Sequence, residues 1–151
     1  MTRSDRLKPI IKIAESREKE AARLLGQYQQ MLDRHESKLG ELLNYRKEYR
    51  EQFIQVGTEG IDGAKMRDYQ TFLQRLDIAI GQQKHVISQA IRVYEHQKQV
   101  WQQKRSRTQV LDKVVDRYRK DEEIEQGRKE QKQLDEHAQR RYHSSSETED
   151  F

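Results

Sequence analysis

The chain contains no cysteine and a single proline, and its seven glycines include three packed into the stretch 57–63, GTEGIDG. Without cysteine there is no disulfide framework and no thiolate metal site, which agrees with a reducing compartment. Aromatics make up only 7% and hydrophobic residues 32%, while 37% of the chain is charged. An average globular domain is about 25% charged, so a compact core is not what this composition builds. Long apolar runs are also missing. The run Ile10, Ile11, Lys12, Ile13 is too short for a signal-peptide core, and no window approaches the ~20 apolar residues of a membrane span, so the protein is expected to be soluble.

Such polarity would ordinarily read as disorder, but disordered chains lack regular apolar spacing. Here the spacing alternates strictly between three and four: Ile11, Ala14, Glu18, Ala21, Leu25, Tyr28, Leu32, His35, Leu39, Leu42, Arg46, Tyr49, Phe53, of which ten of thirteen are apolar. The same alternation resumes at Met66, Tyr69, Leu73, Leu76, Ile80, Gln83, Ile87, Ala90, Tyr94, Gln97, Trp101, Lys104, Thr108, Leu111, Val115 and Tyr118, twelve of sixteen apolar. That period keeps one stripe of each helix facing a partner. The fold class is therefore all-α, a long antiparallel two-helix coiled-coil hairpin.

The boundaries read as a flexible N-terminus at 1–8, a first helix at 9–56 opening on Pro9, a turn at 57–63, a second helix at 64–141, and a disordered acidic tail at 142–151. Gly57 is the expected C′ residue of the first helix and Asp62 the N-cap of the second. With the turn near residue 59, pairing brings Tyr49 to Tyr69 and Leu42 to Leu76, and everything beyond about Val110 is left as an unpartnered overhang. At 1.5 Å per residue the helices span roughly 65 to 70 Å and 115 Å, a rod. The formal charge of +4 is unevenly spread: residues 119–151 carry 7 Lys/Arg against 10 Asp/Glu, or −3, leaving +7 on the body.

A two-helix rod offers no concave site, so an enzyme is not expected, and neither is a cofactor. GTEGIDG lacks the Lys-Ser/Thr ending of a P-loop. The histidines His35, His85, His96, His137 and His143 show no metal-ligand spacing, and His35 reads as a half-buried seam residue. The basic run Lys98, Lys104, Arg105, Arg107 around Trp101 admits a nucleic-acid rod as a rival reading, although Trp101 sits at a seam position and an acidic protein surface is the better complement. The sharper signal is aromatic. Tyr45 and Phe72 flank the seam beside Leu42, Tyr49, Leu76 and Ala79, forming an apolar patch wider than the seam needs, as at binding sites.

Five stretches, AARLLG at 21–26, YRKEYR at 45–50, YQTFLQRLDIAI at 69–80, Trp101, and LDEHAQR at 134–140, resemble in order and spacing the flagellar type III export family FliJ. The resemblance implies a hairpin similar to the central stalk (gamma) subunit of rotary ATP synthases. It further implies a non-enzymatic cytoplasmic adaptor that works with the hexameric export ATPase, the export-gate membrane protein FlhA and export chaperones at the flagellar base, without nucleic acid or membrane insertion. The family's gate-binding surface maps onto Lys38, Leu42, Tyr45, Tyr49, Phe72, Leu76, Ala79 and Gln83, with Lys38 and Gln83 standing where the family carries Gln and His. An ATPase-contact face is expected at Ala21, Arg23, Leu24, Leu25, Leu134, Asp135, Ala138 and Arg140. The stalk protein of a virulence-type injection system has the same shape and remains a rival.

Overall fold

The computed structural model describes residues 1–58, 60 and 62–149. Among them there are two helices and no strand: α1, Arg3–Thr58, and α2, Gly63–Glu149. They pack antiparallel along the seam. Every seam position on α1 named above is buried or half-buried, and on α2 all are except Met66, which is 39% exposed. The packing divides into two compact units, one of Met1–Arg17 with Lys104–Phe151 and the other of Glu18–Gln103.

In the unit Glu18–Gln103 the core is Ala21, Leu32, Leu76 and Ile80. Residues whose numbers add to 118 meet here: Tyr49 stacks on Tyr69, Gln83 donates its side-chain amide to the carbonyl of His35 at 2.9 Å, and Gln97 donates to that of Ala21 at 3.1 Å. Gln83 and Gln97 are thus paired rather than stranded, which offsets the cost of burying them. Half-buried Arg46 turns its guanidinium to the rim of the seam, where Nε donates to Asp77 at 2.7 Å.

In the unit Met1–Arg17 with Lys104–Phe151, Ala14 and Val115 form the core, and the buried Thr108 hydroxyl donates back to the Lys104 carbonyl of its own helix. Here the structure corrects two expectations. The segment 1–8 is helical from Arg3, because Thr2 N-caps α1: its Oγ1 accepts the Asp5 N–H at 3.2 Å and donates to the Asp5 carboxylate at 2.8 Å. Pro9 lies inside the helix rather than opening it. The longer α1 then gives α2 a partner well past Val110. Ser4 donates through both its backbone N–H and its hydroxyl to Glu122, at 3.1 and 2.7 Å, and the Arg3 guanidinium sits 5.7 Å from the Tyr118 ring centroid. Only from Glu123 onward are the side chains exposed almost throughout.

At the turn, Glu59 and Ile61 lie outside the described residues. α1 runs through Gly57, so Gly57 is not the C′ residue; the positive φ, 92°, belongs to Gly60. A left-handed backbone of this kind suits glycine. Asp62 does N-cap α2, its Oδ1 accepting the Lys65 N–H at 2.8 Å. The tail expected to be disordered from 142 continues α2 to Glu149, the hydroxyls of Ser144, Ser145 and Ser146 donating to carbonyls three residues earlier. Asp150 and Phe151 lie outside the described residues. No helix is long and apolar enough to cross a membrane, again among the described residues.

Candidate protein-docking surface

Near the turn, five rings form a continuous ladder between the helices. Tyr45 stands edge-on to Phe72 with centroids 6.0 Å apart, Phe72 tilts against Tyr49 at 4.5 Å, Tyr49 stacks on Tyr69 at 5.1 Å, and Tyr69 stacks on Phe53 at 3.5 Å. The spacing 45, 49, 53 on α1 and 69, 72 on α2 puts these rings on successive turns, so each bridges to the opposite helix. Aromatic pairs of this geometry contribute about 0.5–1.5 kcal/mol beyond the area they bury.

The five rings differ in exposure. Tyr49, Phe53, Tyr69 and Phe72 are half-buried, whereas Tyr45 is 49% exposed. Of the expected gate-binding residues, Lys38 and Tyr45 are exposed, Leu42, Tyr49, Phe72 and Ala79 are half-buried, and Leu76 and Gln83 are buried in the seam, where Gln83 holds the His35 carbonyl. The outward surface is therefore carried by Lys38, Tyr45 and the flank of Phe72 and Ala79. Beside it, a shallow groove lies between Tyr49, Gln52, Phe53, Val56, Lys65 and Tyr69. Phe53 and Tyr69 were legible only as seam positions, and Val56 lay beyond the seam series read from the sequence. Their aromatic and branched side chains at the turn end of the seam, where Val56 is 45% exposed, are the signal that marks them as surface too.

The second set is divided between the units. Ala21 is buried and its carbonyl is taken by Gln97, while Leu24 and Leu25 are half-buried. Arg23 is exposed and forms a bidentate pair with Glu20; the guanidinium's hydrogen bonds hold the Glu20 carboxyl below its ordinary pKa and raise that of Arg23. Leu134 is 64% exposed, and Asp135, Ala138 and Arg140 are exposed as well. Leu134, Ala138 and Tyr142 follow one another at four-residue steps, an uncovered apolar row on α2.

Among the described residues no group of three or more histidines and carboxylates comes together to hold a metal ion. What the surface offers is a rigid, partly exposed aromatic anchor in an apolar setting, the kind of feature that dominates binding energy at protein interfaces.

The flagellar FliJ protein of Escherichia coli K12 is 30% identical over 128 residues, covering 85% of this chain and 87% of that one. That of Salmonella typhi is 30% identical over 140 residues, covering 93% and 95%. No solved structure matches. The family described as "Flagellar FliJ protein" matches residues 3–147, and the chain belongs to that family.

Proposed function

We propose that this protein is a non-enzymatic stalk and adaptor of the flagellar type III export apparatus, working in the cytoplasm at the flagellar base. In this reading it couples the hexameric export ATPase to the export-gate protein FlhA and engages export chaperones. One observation carries the gate assignment: Tyr45 is 49% exposed at the end of a ring ladder whose other members are half-buried. A seam residue would be covered by the opposite helix; Tyr45 is supported by it and left facing outward. The gate then meets Lys38, Tyr45, Phe72 and Ala79, while Leu42, Tyr49, Leu76 and Gln83 hold them in place.

The exposed row Leu134, Ala138 and Tyr142, with Arg140 beside it, supports an ATPase contact on the overhang of α2; separately, on α1, exposed Arg23 and half-buried Leu24 are proposed contact residues. Hydrolysis by the purified export ATPase, measured with and without this protein, tests the coupling. Stimulation that is lost with Leu134→Glu supports it. An unchanged rate with the wild-type chain removes the ATPase from the list of partners.

A further inference from the structure

In the unit Met1–Arg17 with Lys104–Phe151, the two flanks of the seam carry different charge. On one flank Lys8, Lys12 and Arg119 gather with Glu15, Asp112 and Asp116 around a single groove. Asp5 and Arg105, seven residues before Lys12 and Asp112, add one charge of each sign, so this flank is balanced. The other flank is not. Arg3, Ile10 and Arg17 follow one another at seven-residue steps on α1, as Arg107, Val114 and Asp121 do on α2, and Arg3 and Asp121 line a common groove with Tyr118, which makes the two rows neighbours. Arg6 with Ile13, and Val110 with Arg117, stand on the outer shoulders of these rows, and Lys104 lies half-buried at the seam edge. The flank thus holds six basic residues, Arg3, Arg6, Arg17, Lys104, Arg107 and Arg117, against the single acid Asp121. Glu122 and Glu125 close it at the Arg3 end; Glu20, the next acid along α1, is bridged to Arg23, and Lys113 and Lys120 stand on the back of α2. Among the described residues Arg6, Arg17, Arg107 and Arg117 are exposed and form no ion pair. Between them Ile10 is 43% exposed, Ile13 54% and Val110 59%.

We propose that this flank lies against the surface of a membrane containing anionic phospholipid, with its arginines at the lipid phosphates and Ile10, Ile13 and Val110 at the boundary between headgroups and acyl chains. Charge sets the sign of the partner, and width sets its shape. With helix axes about 10 Å apart, a strip running from the Arg6 shoulder to the Arg117 shoulder is about 20 Å wide, whereas one partner helix, about 10–12 Å across, fills only the furrow between the rows. A planar surface meets both shoulders at once. The aliphatic residues decide against nucleic acid: phosphates give Ile10, Ile13 and Val110 nothing to pack on, and the one ring of this flank, Tyr118, is half-buried rather than open to a base. Basic residues interleaved with branched apolar ones are what segments lying in a membrane interface carry, and arginine stems reach across apolar surface to keep their charge at the phosphates. Among the described residues no helix is long and apolar enough to cross a membrane, so the attachment is peripheral, and its electrostatic part is screened by salt. The inference is independent of the gate and ATPase contacts proposed above, none of whose residues belongs to this flank.

The test is co-sedimentation of the full chain with vesicles of phosphatidylcholine alone, or with about 30% phosphatidylglycerol added, at about 0.15 M salt. Saturable binding to the anionic vesicles is expected, at least ~10-fold tighter than to the neutral ones and largely lost at about 0.5 M salt. Arg6→Glu combined with Arg117→Glu should weaken it at least ~10-fold, and Ile13→Ser measurably, while Lys8→Glu combined with Lys12→Glu, the same change of charge on the balanced flank, stays within ~3-fold of wild type. Absence of binding to the anionic vesicles, or equal losses in the two double variants at unchanged helicity, overturns the proposal. So does an acidic protein or a DNA duplex that requires Arg6 and Arg117 while the vesicles go unbound, which would give the flank to that partner instead.

Discussion

The side-chain amide of Gln97 donates a hydrogen bond across the seam to the backbone carbonyl of Ala21 at 3.1 Å, and Gln83 makes the same bond to His35 at 2.9 Å. The two glutamines are 6% and 9% exposed, at Gln83 and Gln97 respectively, so each is a buried polar group satisfied by the opposite helix. A shift of the pairing would strand both amides. Together they hold the register that brings Tyr45 against Phe72.

Gln97→Ala is accordingly expected to lower stability by about 1–2 kcal/mol, from the lost bond and lost packing. Gln97→Leu removes the donor without leaving it unpaired and should cost less than Gln97→Ala. Urea denaturation of the two variants measures the difference. A larger loss for leucine would mean that Gln97 contributes more than a satisfied seam position.

Leu32→Ala removes a side chain that is 8% exposed and should cost about 2–5 kcal/mol. Tyr45→Ala should cost less than about 1 kcal/mol, since nearly half of the residue faces water and its ring contact is edge-on. Phe72→Ala falls between, because Phe72 touches both Tyr45 and Tyr49. Melting temperatures in the order Tyr45→Ala, Phe72→Ala, Leu32→Ala, from highest to lowest, are the expected outcome.

The N-terminal turn of α1 should loosen in acid. Hydrogen bonds from the Ser4 hydroxyl and backbone lower the Glu122 pKa from its ordinary 4.5, and those from Thr2 and Lys8, with the Lys8 charge, lower Asp5 to about 2. A carboxylate depressed on folding contributes stability above its unfolded pKa and loses it as pH falls through the folded one. The attachment of Ser4 to Glu122 should therefore hold at neutral pH and weaken below about 4.5. Amide protection factors at residues 3–8, taken relative to the intrinsic exchange rate at each pH, should fall over that window, and Glu122→Gln should blunt the change.

Much of this was legible in sequence because the three–four alternation is a strong signal: it placed Leu32, Leu76 and Ile80 in the seam and Tyr49 beside Tyr69. The ends were not. Pro9 drew the start of α1 to itself, although Thr2 with Asp5 three residues on is a capping pattern, and that displacement shortened the paired part of α2. Spacing put Gln83 in the seam and Tyr45 beside it; what it could not give is the direction of the Gln83 amide, into the His35 carbonyl, which takes Gln83 away from the outward surface that the resemblance assigned it.

Tyr45 and Phe72 are proposed as surface for a partner and not core for the hairpin. Affinity of the full chain for the cytoplasmic portion of FlhA, measured for wild type, Tyr45→Ala and Leu32→Ala at a temperature where all three are folded, tests it most directly. Tyr45→Ala is expected to bind at least ~30-fold more weakly, the equivalent of about 2 kcal/mol for an aromatic anchor, while Leu32→Ala binds as wild type. Wild-type affinity for Tyr45→Ala would contradict it.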